Sequence, residues 1–201
     1  MADHMTGGAH LDLTPTRTAT PSDSARAARV LEELRRGIAR YTDVRVAEAA
    51  GYRVFRPDIP QKVYHLTSYQ RSFGEAFAFD AARPSSLLYE KAADGRFTLV
   101  GAMYHAPRTM SAEQLDARVP LGIARWHRHV NLCVPPRRDT GRWSETQNGV
   151  LRFGPRGSIA TEGECAAAKG RWIPQLFGWM VHVNAYAADP AAVWGSEHAG
   201  H

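Results

Sequence analysis

The sequence predicts an α+β fold in which N-terminal helices pack on a mainly antiparallel β-sheet or small β-barrel. Two patterns carry that expectation. Ala27, Val30, Leu31, Leu34, Ile38 and Tyr41 recur at helical spacing and form one apolar stripe. Beyond Tyr52 the chain changes to short β-branched and aromatic runs separated by Gly-, Pro- and Asp-bearing connections. With 201 residues, of which 44% are hydrophobic and 22% charged, there is enough apolar material for one full core.

Residues 1–22 are rich in Thr, Pro, Gly and Ser and have almost no apolar periodicity, so they read as a disordered arm. His4 and His10 fall in this arm and are set aside. Ser22, Asp23 or Ser24 can cap the first helix. Asp43 can start a short second helix through Val44, Ala47 and Ala50, with Gly51 as its stop. Strands are expected at 62–69, 86–91, 96–105, 125–133, 149–153 and 177–186, with Ala-Asp-Gly at 93–95 as a hairpin turn. Capping boxes at Ser111/Gln114 and Thr161/Glu164 mark short helices, and Asp189-Pro190 reads as an N-cap followed by proline at the first helical position. The expected organisation is a single domain over 23–195 and a flexible tail at 196–201, which holds His198 and His201.

The formal charge of +5 comes almost wholly from scattered arginines, with no Lys/Arg block longer than two. Basic and aromatic residues are not interleaved, so a nucleic-acid partner is not expected. No run approaches the roughly 20 apolar residues of a membrane span. The first residues lack the basic and apolar regions of a secretory signal, so the chain reads as cytoplasmic, or as exported if a signal has been removed. Cys133 and Cys165 leave three states open: a disulfide, reduced core thiols, or a thiolate ligand.

The chemistry is concentrated in Trp126-His127-Arg128-His129-Val130-Asn131-Leu132-Cys133. Side chains alternate along a strand, which puts His127, His129, Asn131 and Cys133 on one face. Two imidazoles one strand-step apart are spaced to share a metal ion. His182 shares a face with Met180, Asn184 and Tyr186, and His65 with Val63, Thr67 and Tyr69. His105 would share one with Leu99, Gly101 and Met103, an apolar setting, and stands outside the main set. The acidic candidates for completing a site are Glu90, at the end of its strand, and Glu75, which fits an exposed loop equally well. The expectation is therefore a mononuclear site of His127, His129, His182 and His65, with His105 and Glu90 as outlying candidates. A divalent first-row ion suits it, copper or zinc ahead of iron, because no carboxylate is placed for a facial triad. Three imidazoles with an open position would favour catalysis, and four closed ones storage or structure.

Other chemistries have weaker support. There is no GxSxG elbow, P-loop, GxGxxG or HExxH motif. A Cys133–His129 nucleophile would have only Asn131 to orient it. The alternative to a metal protein is a binding module in which Trp126, Trp143, Trp172, Trp179, Phe177 and Tyr186 line a pocket for a small molecule, or a structural protein whose histidines are core residues.

Several blocks together carry a resemblance: ARYTDVRVAEAAGYRVF, VYHLTSY, SLLYEKAADGRFTLVGAMYHAP, WHRHVNLC and GECAAAKGRWIPQLFGWMVHVNAY. They resemble a group of small, largely uncharacterised bacterial proteins, often exported, in which a helix ending in DxxxAxxxGY precedes a β domain with histidines on its strands. The resemblance covers most of 39–195 and places His65, His127, His129 and His182 in its blocks, but it implies no activity. A looser similarity is to cupin-type metal proteins, which carry an HxH pair on one barrel strand. Here PLGIARWHRH replaces their glycine-led lead-in, and no Glu follows at the short spacing expected.

Overall fold

The computed structural model describes residues 8–57 and 61–195, so His4, His198, His201 and the expected tail at 196–201 lie outside the described residues. In chain order the elements are β1 (Leu11–Leu13), α1 (Pro21–Ile38), α2 (Val44–Ala49), β2 (Arg53–Val54), β3 (Val63–Thr67), α3 (Tyr69–Phe77), β4 (Ser86–Lys91) and β5 (Phe97–Ala106). They continue with α4 (Ala112–Arg118), β6 (His127–Val134), β7 (Thr146–Gln147), β8 (Val150–Leu151), α5 (Glu162–Ala167) and β9 (Arg171–Val183). Seven strands form one sheet in the order β1-β6-β9-β5-β4-β3-β2, and β7 and β8 make a separate hairpin. The α+β expectation holds. The barrel alternative does not, because among the described residues the sheet ends in two edge strands and does not close.

The described residues fall into two compact units. The larger comprises 15–57, 61–126 and 179–195. Its first helix starts one turn earlier than expected. Thr20 is the cap, its hydroxyl accepting the Asp23 N–H at 3.2 Å while the Asp23 carboxylate accepts the Thr20 N–H at 2.9 Å. Pro21 at the first helical position needs no partner for a missing N–H. The stripe then buries Leu34, Ile38 and Tyr41 against Leu66, Leu87, Tyr104 and Val181 of the sheet. Burying Leu34 and Ile38 fully stabilises the fold by roughly 1.5–3 kcal/mol each. Asp43 caps α2 by accepting the Arg45 N–H, and Gly51 follows at φ 89°, as the sequence predicts.

The hairpin of β4 and β5 turns at Gly95 (φ 86°). Its register contains one irregularity that decides the faces. Leu88 pairs with Gly101 but Tyr89 pairs with Leu99, so Val100 is an extra residue in β5. The bulge sends Leu99 into the main core and leaves Met103 in a separate cluster with Leu88 and Met180. The expected grouping of His105 with Leu99 is thereby corrected, since simple alternation fails across an unpaired residue. A Cβ at Gly101 would lie 1.9 Å from the Val183 carbonyl oxygen, so only glycine fits there.

The second unit comprises 8–14 and 127–178. Residues of the supposed arm form β1, whose Asp12 lies opposite Arg128 of β6 and pairs with it at 2.6 Å. Local composition hides this strand because its partner is over a hundred residues away. Cys133 and Cys165 form a disulfide, packed with Phe153, Ile159 and Ala168. The Thr161/Glu164 capping box starts α5, which delivers Cys165 to that bond. Asn148 (φ 52°) and Gly149 (φ 78°) turn the β7–β8 hairpin, with the left-handed pair such a tight turn requires.

Candidate functional site

On the face of the larger unit's sheet opposite α1, the sequence-predicted histidines His65 and His182 come together. His65 lies on β3 opposite Leu88 of β4, and His182 lies on β9 opposite Met103 of β5. Strands β4 and β5 lie between β3 and β9, yet the two Nε2 atoms are 3.2 Å apart. The rings must therefore lean toward each other and meet over Leu88 and Met103. Their centroids are 5.3 Å apart at an interplanar angle of 53°. His182 is buried and His65 half-buried.

Two nitrogens bound to one ion at about 2.0–2.1 Å, with an angle between 90° and tetrahedral, lie roughly 2.9–3.4 Å apart. The His65–His182 separation falls in that range. It also suits a hydrogen bond in which one neutral ring donates to the other.

In the second unit, His127 and His129 stand opposite Leu13 and Leu11 of β1. Their ring centroids are 5.7 Å apart, at 81° to each other. His127 is fully buried and His129 half-buried. Asn131 has φ 55°, which breaks the pleat, so the alternation that would put Cys133 with these histidines does not run unbroken. Cys133 is also committed to the disulfide, which removes both the thiolate ligand and the Cys–His nucleophile.

Among the described residues no group of three or more His, Cys, Asp or Glu side chains is placed to hold a metal ion. The outlying candidates stay apart from the His65–His182 pair. Glu90 is exposed at the end of β4. His105 is engaged elsewhere, its Nδ1 lying 2.6 Å from the Ser85 hydroxyl. Burial keeps the His105 ring neutral, with its pKa held down at about 4.

Beside it lies the other acidic candidate, whose burial the sequence does not reveal. Glu75, which fits an exposed loop by sequence, sits on α3 and is buried. Its Oε2 accepts the His105 backbone N–H at 2.9 Å. Arg118 of α4 donates to the backbone carbonyls of Glu75 (2.7 Å) and His105 (3.2 Å), not to the carboxylate oxygens. Desolvation raises the Glu75 pKa to about 7, against the opposing pull of the Ser85 hydroxyl, the His105 amide and the Arg118 charge.

His10, assigned to the arm by composition, is buried. Its Nδ1 lies 2.9 Å from the Asn131 carbonyl oxygen and its Nε2 2.7 Å from that of Gly157. A neutral ring has one N–H and can donate to only one of them, whereas an imidazolium donates to both.

The aromatic residues do not form one surface. Trp126 and Trp179 belong to the main core, Trp172 packs against the disulfide cluster, and Phe177 and Tyr186 are exposed. No helix among the described residues is long and apolar enough to cross a membrane. Compared with known proteins, the chain matches no family model, no curated protein and no solved structure.

Proposed function

We propose that this is a metal-binding protein that holds a first-row ion through the imidazoles of His65 and His182. The observation that carries the reading is the 3.2 Å approach of two Nε2 atoms from strands with two others between them. Holding two imidazoles in a leaning arrangement across a sheet costs conformational entropy, and a shared ion compensates for that cost better than one neutral hydrogen bond does. Two protein imidazoles leave further coordination positions for other donors, water or a substrate. The Cys133–Cys165 disulfide supports an oxidising compartment as the place of action.

Elemental analysis of tag-free protein tests the proposal. One ion per chain is expected in the wild type and in His127→Ala/His129→Ala, with loss in His65→Ala/His182→Ala. Wild-type protein without stoichiometric metal refutes the reading. Loss from the His127/His129 variant alone moves the ion to that pair.

A further inference from the structure

We propose that the ion held at His65 and His182 is monovalent copper, with the thioethers of Met103 and Met180 as its remaining donors. The inference rests on the metal-binding reading of the same pair and adds the identity and oxidation state of the ion. The two imidazoles meet over strands β4 and β5, where the residues facing them are Leu88 and Met103. Met103 stands directly opposite His182, and Met180 is two residues before His182 on the same face. Leu88, Met103 and Met180 form one buried cluster, with Val63 and Val100 packed against it. The cluster beneath the imidazole pair is apolar and offers two methionine sulfurs as donors, while the Thr67 and Ser86 hydroxyls on the same face are hydrogen-bonded to each other at 2.8 Å.

The other ligand types are accounted for. Both cysteines are joined in the disulfide. Glu90 is exposed, and among the described residues no third His, Cys, Asp or Glu joins the pair. Soft thioether donors select monovalent copper, whereas zinc and the harder divalent ions favour imidazole with carboxylate or water. Charge points the same way. Burying an ion without an anionic partner is costly, and the Born cost rises with the square of the charge, so an apolar floor penalises a monocation less than a dication. Methionine also suits an oxidising compartment, because it is not drawn into disulfides as a cysteine ligand would be.

The full chain, with its disulfide intact and handled without oxygen or thiol reductant, is titrated with Cu(I) against a chromogenic Cu(I) chelator, and separately with Co(II). The expected result is one Cu(I) per chain, with Met103→Leu/Met180→Leu weakening Cu(I) by at least the roughly tenfold that loss of an outer-shell partner costs. Co(II) affinity should stay unchanged in that variant, while His65→Ala/His182→Ala should lose both metals. X-ray absorption at the copper edge of the wild type should show sulfur neighbours, a readout that does not depend on the variants folding. Unchanged Cu(I) affinity in the Met103/Met180 variant, or copper with nitrogen and oxygen neighbours only, overturns the proposal. Wild-type protein that binds Co(II) but not Cu(I) overturns it while leaving the metal-binding reading intact. Failure to bind either metal refutes both.

Discussion

Glu75 and His105 should make the metal-free protein insensitive to pH over a range where each alone would make it sensitive. The Glu75 carboxyl, near 4.5 when unfolded and about 7 when folded, binds more protons in the fold than in the open chain between those values. Its contribution to stability therefore falls as pH rises through that window. The His105 ring, near 6.5 unfolded and about 4 folded, binds fewer protons in the fold. Its contribution falls as pH drops from 6.5 toward 4. Each shift corresponds to about 3 kcal/mol across its window, with a slope of about 1.4 kcal/mol per pH unit. The slopes have opposite signs and cancel where the windows overlap. Glu75→Gln keeps an acceptor for the His105 N–H and removes one slope. Relative to wild type, that variant should gain about 3 kcal/mol between pH 4.5 and 7.5, whatever constant offset the substitution brings. His105→Asn should show the reverse trend as pH falls. Urea unfolding at half-unit pH steps with a chelator present measures both. If wild type and Glu75→Gln show parallel pH dependence, the burial of an ionisable Glu75 is refuted.

Three further outcomes are expected. Breaking the Cys133–Cys165 bond as Cys133→Ser/Cys165→Ser releases a loop of sequence separation 32. This should cost roughly 3.7 kcal/mol by loop-closure entropy, read as a lower urea midpoint, and an unchanged midpoint would contradict it. Gly101→Ala forces a Cβ against the Val183 carbonyl and should destabilise by about 1–3 kcal/mol or more. A neutral result in thermal unfolding would mean that the close approach is relieved by movement. His10→Ala should leave the carbonyls of Asn131 and Gly157 without this partner, at about 1–3 kcal/mol. Faster amide exchange at Val130, whose N–H donates to the His10 carbonyl, would report release of β1, and unchanged exchange would refute the clasp.

What was legible in the sequence was what local chemistry writes. The α1 stripe, the Asp43 cap, the Ser111 and Thr161 capping boxes and the 93–95 turn all depend on residues within a few positions of one another, and the structure has each of them. Strand parity placed His65 with Val63, and His182 with Met180 away from Val181 and Val183, as the two clusters have them. It misplaced Leu99 because the extra residue at Val100 is defined by pairing with β4, which no property of β5 announces. The burial of Glu75 on a helix is not legible for a related reason. The predicted strand ran on to Tyr69, past Ser68, whose side chain caps α3. His10 and β1 depend on partners in β6 and at Gly157, which composition cannot show.

The Asn148–Gly149 turn lies inside the segment whose ends the disulfide already fixes. Lengthening a loop adds only about 0.6 kcal/mol per doubling when its ends are held. A peptide tag or fluorescent reporter spliced between Gln147 and Val150 should therefore be carried as an external handle. The hairpin tip offers an attachment point for imaging or immobilisation at little thermodynamic penalty.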